Sequence, residues 1–181
     1  MGFALTPWKG DVTPFKILGN LYFVGTEGAS THILDTGEGL IMFDSGYQES
    51  LYLVIHHMNM LGLDIRNVKY IFHTHGHIDH AGATAAIKRM IDTKAVIGKE
   101  DREYVNGERD LSYAKELCME MIFFEPDILL SEKHIGDEKH HRRGRNCIGY
   151  GDHKIVVEMS KLPKIGEHRH RAQHYHKWQY Q

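Results

Sequence analysis

The feature that most constrains this chain is a histidine-rich segment between a predicted strand and a predicted helix. Residues 74–82 read Thr-His-Gly-His-Ile-Asp-His-Ala-Gly and place three imidazoles and one carboxylate within six residues. The preceding run, Val68–Phe72, is rich in β-branched and aromatic residues and predicts a strand, whereas the apolar spacing of residues 81–90 predicts a helix. Rigid elements on both sides would hold such a loop in place, as is typical of α/β active sites.

The side chains of this segment suit a metal ion. Neutral imidazole and carboxylate groups are zinc ligands, and catalytic zinc sites keep one position open for water. Because His75 and His77 are two residues apart, they point to the same side of an extended segment and can hold one ion. A chain turn at Asp79 and His80 would present those side chains to a second ion, about 3.5–4 Å from the first.

The segment resembles the His-x-His-x-Asp-His signature of the metallo-β-lactamase fold superfamily of hydrolases. The resemblance implies that His75 and His77 hold one metal, while Asp79 and His80 hold the other. Residues 39–46, Gly-Leu-Ile-Met-Phe-Asp-Ser-Gly, are similar to that family's strand ending in Asp-x-Gly, so Asp44 is a candidate to support the ligands. Taken alone, Asp-Ser-Gly after an apolar run is also typical of a turn closed by an Asx hydrogen bond.

The resemblance covers residues 15–132 and implies a metal-dependent hydrolase. Zinc is the expected cofactor, as one or two ions, with iron or manganese as alternatives, and no organic cofactor is expected. The metal would activate a hydroxide that attacks a small ester, thioester, lactone or lactam, and catalytic Asp79 would orient that hydroxide or accept its proton. Two other readings stay open: a non-catalytic metal-binding remnant of the family, and an iron-dependent oxidoreductase on the same fold.

The remaining pattern predicts an α/β (α+β) fold, a four-layer αββα metallo-β-lactamase-like sandwich that is incomplete at its C-terminus. Strand-like runs over residues 15–24, 30–35 and 40–44 are separated by glycine-containing turns, which indicates an antiparallel meander. Apolar residues at helical spacing predict a helix over residues 50–61. In such a fold two sheets pack together and helices cover the outside.

The chain changes character near residue 132. Residues 1–132 hold 11 basic and 19 acidic residues, a net charge of −8, whereas residues 133–181 hold 11 and 5, a net charge of +6, with eight of the fifteen histidines. We therefore expect the N-terminal part of the metal-binding domain over residues 1–132 and a divergent basic, histidine-rich segment over residues 133–181. The family places a further histidine ligand in this part of the chain, for which His168 is the first candidate and His153 the alternative.

Composition favours a cytoplasmic protein that acts on a small molecule. The 181 residues are 41% hydrophobic, enough for one core, and no apolar run approaches the ~20 residues of a membrane helix. Residues 1–16 lack the apolar stretch of a signal peptide, and Cys118 and Cys147 are expected to be thiols. The acidic first part offers no track for nucleic acid, and oligomeric state stays open. Solvent-facing or packed structural roles are expected for His32, His56 and His57, and packing in the core or beside the ligands is expected for His73.

Overall fold

The protein is described by a computed structural model that covers residue 6, residues 10–109 and 111–131, and the backbone of residues 148–150 and 153–155. These residues form a seven-stranded mixed sheet, whose strands lie in chain order, and a separate two-stranded sheet. The strands of the large sheet are β1 (Phe15–Leu18), β2 (Leu21–Phe23), β3 (His32–Asp35), β4 (Leu40–Phe43), β5 (Val68–Phe72), β6 (Lys94–Gly98) and β7 (Ile128–Leu130). The small antiparallel sheet contains β8 (Ile148–Tyr150) and β9 (His153–Ile155).

The first four strands pair antiparallel, which confirms the predicted meander. The strand-like run over residues 15–24 is two strands, because the chain reverses at Gly19, which has a φ of +56°. Glycine adopts this left-handed conformation without the steric penalty of a β-carbon. The turn between β1 and β2 therefore forms at a residue that has no β-carbon.

From β4 onward the pairing is parallel. Phe43, the last residue of β4, is paired with Phe72, the last residue of β5, and Phe72 is paired in turn with Val96 of β6. The carboxyl ends of these strands therefore meet at one edge of the sheet. In open α/β sheets, this is the edge at which ligands bind.

The helices connect these strands. They are α1 (Leu51–Met60), α2 (Ile78–Ala81), α3 (Thr84–Met90) and α4 (Arg102–Asn106), with 3-10 turns at Gln48–Ser50, Ile65–Asn67 and Lys99–Asp101. The helix predicted over residues 81–90 is wrong in its bounds, because helical structure begins at Ile78 and is divided before Thr84. Met90 is also 54% exposed and does not contribute to the buried face.

Both faces of the large sheet are apolar. On one face, Met42 of β4 and Ile71 of β5 pack in a cluster with Val54 of α1 and Ile87 of α3, and each of these side chains is at most 1% exposed. On the other face, a second cluster contains side chains that alternate with the first along the strands: Ile41, Tyr70, Phe72 and Val96. Strands with apolar side chains on both faces are typical of a sheet in the interior of a layered α/β fold.

The mixed sheet and its helices confirm the predicted α/β fold. Most of residues 133–181 lies outside the described part of the chain, so the predicted division at residue 132 stays a prediction. Within the part that the structure describes, none of the helices is long and apolar enough to cross a membrane. The longest of them, α1, has 10 residues.

Candidate metal centre

The four predicted ligands lie beyond the carboxyl ends of the parallel strands. His75 and His77 follow β5, and Asp79 and His80 lie on α2 rather than in the predicted turn. Three of these residues, His75, Asp79 and His80, each offer one ligand atom within 4.8 Å of the others. Nδ1 of His77 lies 3.0 Å from Nε2 of His75. The structure thus brings His75 next to the pair expected for the second metal as well as next to its own predicted partner.

Thr74 sets the orientation of two of these imidazoles. Its hydroxyl donates to Oδ2 of Asp44 over 2.9 Å and lies 3.1 Å from Nδ1 of His75 and 3.2 Å from Nδ1 of His80. Because its one proton goes to the carboxylate, the hydroxyl oxygen can only accept from the imidazoles. A proton on Nδ1 leaves Nε2 as the nitrogen that a metal can bind, which is how supporting groups select the tautomer of ligand histidines.

Asp44 is the acceptor at the centre of this arrangement. Its carboxylate accepts from the backbone N–H of Thr74 over 2.8 Å and from Nδ1 of His80 over 2.8 Å, and the residue is 6% exposed. Its φ is +55°, a strained conformation that aspartate tolerates better than most residues. These contacts join Asp44 to the segment that carries the ligands. They support the expected role of Asp44 in holding the ligands and not the alternative of a local turn closed by an Asx hydrogen bond.

The two residues after Asp44 hold the helix that carries the ligands. The backbone N–H of Ser45 donates to the carbonyl of His80 over 2.7 Å, and the Ser45 hydroxyl donates to the same oxygen over 3.1 Å. The carbonyl of Gly46 accepts from the N–H of Ala83 over 3.0 Å. Both the ring and the main chain of His80 are therefore fixed from the end of β4.

The protonation of the ligands follows from these contacts. Burial lowers the pKa of His80, but the Asp44 and Asp79 carboxylates, which accept hydrogen bonds from its ring, outweigh burial and raise that pKa to about 9. Burial and the charges of His80 and His77 lower the pKa of His75. Burial raises the pKa of Asp79, but the hydrogen bond and charge of His80 bring it below its usual value. At neutral pH the chain thus holds an ionised carboxylate, a neutral imidazole and a charged imidazole side by side.

This donor set fits zinc. Imidazole nitrogen and carboxylate oxygen are its usual ligands in catalytic sites, and His75 and His80 present Nε2 because their Nδ1 atoms face Thr74 and Asp44. The same donors also accept iron and manganese. The residues present therefore agree with a metal centre without selecting one ion by themselves.

Aromatic side chains surround the site. The ring of His77 lies 4.7 Å from the ring of Tyr113 and 6.0 Å from the ring of Tyr104. A β-carbon on Gly76 would come within 2.4 Å of Cβ of Tyr104, so only glycine fits between the two histidines. The backbone of Asp101 also lies beside Gly76, and burial raises the pKa of the Asp101 carboxyl.

Sequence reasoning missed several of these supporting residues. Thr74 had a usable signal, because it directly follows a predicted strand end and precedes a ligand, whereas Tyr104, Tyr113 and Asp101 had none. The later candidates are not placed: His168 lies outside the described residues, and only the backbone of His153 is described.

The other histidines considered occupy varied positions in the fold. His73 and His57 are 5% and 1% exposed, and each is hydrogen-bonded through both ring nitrogens. His32 contacts Phe23, and His56 is exposed on α1. The two buried histidines have structural partners, as expected.

Comparison with known proteins agrees with this geometry. A family model described as the metallo-β-lactamase superfamily matches residues 24–157. The chain belongs to the metallo-β-lactamase superfamily. Its fold is similar to that of BJP-1, a subclass B3 metallo-β-lactamase of Bradyrhizobium japonicum, with a TM-score of 0.64 and 24% identity over 84% of this chain and 53% of that one.

Two further solved structures are similar at slightly higher identity. The native FEZ-1 metallo-β-lactamase from Legionella gormanii gives a TM-score of 0.62 at 27% identity, covering 67% of this chain and 47% of that one. A β-lactamase from Chitinophaga pinensis gives 0.61 at 27% identity, covering 82% and 52%. This superfamily member therefore spans about half the length of the solved proteins it resembles.

Proposed function

We propose that the chain is a zinc-dependent hydrolase of a small ester, thioester, lactone or lactam. The observation that carries this proposal is the convergence of His75, Asp79 and His80 at the carboxyl edge of the parallel strands. Membership of the superfamily supports it, since the similar solved proteins are described as β-lactamases. Because the chain spans about half their length, the activity and substrate class are proposals for this chain.

The proposed ligands are His75, His77, Asp79 and His80. We assign His75 and His77 to one ion and Asp79 with His80 to a second. The 3.0 Å approach of the first pair and the 3.2 Å approach of Oδ2 of Asp79 to Nε2 of His80 support these pairings.

The chain's own residues prepare the site for hydrolysis. A bound zinc ion would supply a nucleophile at neutral pH by lowering the pKa of its water, and it would polarise the carbonyl under attack. Asp79, ionised at neutral pH, would orient the attacking group, or accept its proton where only the ion at His75 and His77 is bound. Asp44 and Thr74 would keep the Nε2 atoms of the imidazoles turned toward the ion.

The experiment is elemental analysis of the purified full chain together with hydrolysis of a chromogenic lactam and a thioester. We expect bound zinc and turnover in the native chain, with both lost in His75→Ala and Asp79→Ala. His56→Ala is the matched control, because that histidine is exposed on α1, and it should keep both.

Each other result assigns a different function. Turnover that survives in His75→Ala and Asp79→Ala refutes the assignment of the site. Zinc without turnover indicates a metal-binding member that does not catalyse, and iron with oxygen consumption indicates an oxidoreductase on this fold. The cytoplasmic location expected from the sequence is checked separately, by cell fractionation.

A further inference from the structure

His73 is a buried histidine next to the metal centre that the proposed mechanism does not use. It directly follows β5, precedes the ligand His75 by two residues and is 5% exposed. Its backbone N–H and its Nδ1 both donate to the carbonyl of Val96 on β6, over 2.9 and 3.1 Å. The ring also packs on Phe124, with the ring centroids 5.6 Å apart. His73 is therefore fixed to the sheet.

A line of buried hydrogen bonds runs from the ring of His73 to the main chain of His80. Nε2 of His73 lies 2.7 Å from the hydroxyl of Thr84, and this hydroxyl lies 2.9 Å from the hydroxyl of Ser45. The hydroxyl and the backbone N–H of Ser45 both donate to the carbonyl of His80, over 3.1 and 2.7 Å. Thr84 and Ser45 are each 0% exposed, and hydrogen bonds in the protein interior are stronger than in water. We call His73, Thr84 and Ser45 the His73 network.

The ligand-bearing helix α2 needs outside support because it is short. It has four residues, and the last four carbonyls of a helix have no partner within that helix. The carbonyl of His80 is one of these, and Ser45 is its donor. Asp44 orients the ring of His80, whereas the His73 network holds the main chain that carries this ring. Because the network begins two residues before His75, it also joins the two segments that supply the ligands.

We infer that His73 is a positioning residue for the metal centre: through the hydroxyls of Thr84 and Ser45, it holds the main chain of His80. The inference rests on the metal centre of the proposed function and assigns a role to a residue that does not itself bind the ion. Loss of a hydrogen-bonding group behind a metal ligand typically weakens metal binding by about 10–100-fold. His73 thus acts on the metal through two hydroxyl groups.

Two substitutions of His73 separate its contact with Thr84 from its contact with Val96. The amide of glutamine reaches the position of Nε2 and can donate to Thr84 or accept from it, whereas the amide of asparagine reaches only the position of Nδ1. His73→Gln should therefore keep the network, and His73→Asn should break it. Thr84→Val breaks the network at its centre with little change in side-chain size, and it leaves both bonds from Ser45 to His80 in place.

His57→Asn is the matched control. His57 is 1% exposed, and its Nδ1 contacts the carbonyl of Val24 while its Nε2 contacts the carboxylate of Asp11. The substitution therefore removes a buried ring and its Nε2 contact at a position outside the His73 network. Any effect that comes only from the loss of a buried imidazole appears in this control as well.

The test is a titration of each full-length variant with zinc, together with the visible absorption spectrum of the same chain saturated with cobalt(II). The cobalt spectrum depends on the number and geometry of the ligands, which a loss of stability alone does not change. The melting temperature of each metal-free chain is measured in parallel. Thr84→Val decides the question if His73→Asn does not fold.

We expect His73→Asn and Thr84→Val to bind zinc about tenfold more weakly than the native chain and to show an altered cobalt spectrum. His73→Gln should stay close to the native chain in both measurements. His57→Asn should melt at a lower temperature and keep the native zinc affinity and cobalt spectrum.

Two results would overturn the inference and leave the proposed function intact. One is native zinc affinity with a native cobalt spectrum in Thr84→Val, and the other is an equal loss of zinc affinity in His73→Gln and His73→Asn. A native chain that binds neither ion overturns both the inference and the proposed function.

Discussion

Zinc binding should release a proton from His80, and the affinity for zinc should therefore rise with pH. Nδ1 of His80 donates to Asp44 over 2.8 Å, and Nε2 lies 3.2 Å from Oδ2 of Asp79. Burial opposes the charge on this ring, but the two carboxylates raise its pKa to about 9. A metal that binds Nε2 must displace the proton that this nitrogen holds at neutral pH.

The size of the effect follows from that pKa. At pH 7 the ring is about two pH units below its pKa of about 9, so deprotonation costs about 3 kcal/mol, or roughly a hundredfold in affinity. The proton of His80 alone should make the affinity rise about tenfold per pH unit up to pH 9, and this contribution should then level off. His75 adds little to this slope, because its pKa is lowered and its ring is already neutral at pH 7.

The assay is calorimetric titration with zinc at pH 8 in two buffers that differ in ionisation enthalpy, repeated between pH 7 and 8.5 for affinity. Asp44→Asn is the matched variant, since asparagine tolerates the φ of +55° but removes the charge that supports protonated His80. Proton release from bound water is common to both chains and cancels in the difference. At pH 8 the ring of His80 in the native chain carries about 0.9 of a proton that zinc must displace, so zinc binding should release about 0.9 protons from this residue. The Asp44→Asn variant should release fewer. Equal release from both chains, or a native affinity that does not change with pH, would refute the reasoning.

Two further predictions concern the supports of the site. Gly76→Ala should weaken zinc binding about tenfold or more in a competition assay, because its β-carbon would lie 2.4 Å from Cβ of Tyr104 and the loop must move. Gly98→Ala is the control and should bind zinc normally, since the nearest atom to its β-carbon is 3.6 Å away. Equal zinc affinities of the two variants would contradict this prediction. Thr84→Val should lower the free energy of unfolding by about 1–3 kcal/mol in urea, because the buried Thr84 hydroxyl joins Nε2 of His73 and the hydroxyl of Ser45. Thr93→Val is its control, because the buried Thr93 hydroxyl has no hydrogen-bond partner among the described residues. If Thr93→Val lowers the free energy of unfolding as much as Thr84→Val does, the hydrogen bonds of Thr84 contribute nothing to stability.

The location of the site was predictable because its signals are local. The apolar runs of β4 and β5 indicate strands buried on both faces, and such strands are usually parallel neighbours. Asp44 and residues 74–80 each follow one of these runs, but only the resemblance to the superfamily, and not the pairing of the strands, placed Asp44 near the ligands. The structure adds that the two strands end together, because Phe43, the last residue of β4, is paired with Phe72, the last residue of β5.

The supports around the ligands were not predictable, because they depend on backbone conformations that leave no mark in the sequence. Thr74 and Asp44 are 30 residues apart, and their contact depends on the exact register of two strands. Tyr113 adopts a left-handed conformation in which glycine or asparagine is expected, so its residue type points away from the structure. The division of the helix before Thr84 likewise lies beside two long-range hydrogen bonds: the N–H of Ser45 donates to the carbonyl of His80, and the N–H of Ala83 donates to the carbonyl of Gly46.

The geometry of the metal centre therefore depends on packing far from the metal. Asp44, Ser45 and Gly46 hold the ring of His80, its carbonyl and the N–H of Ala83, and all three follow β4 directly. A shift of β4 by one residue against β5 would move Asp44 by about 3.3 Å, more than the length of the hydrogen bonds it makes. The same shift would turn Met42, which is 0% exposed, to the opposite face of the sheet. Burial of Met42 thus selects the register, and the register places the carboxylate that orients the ligands.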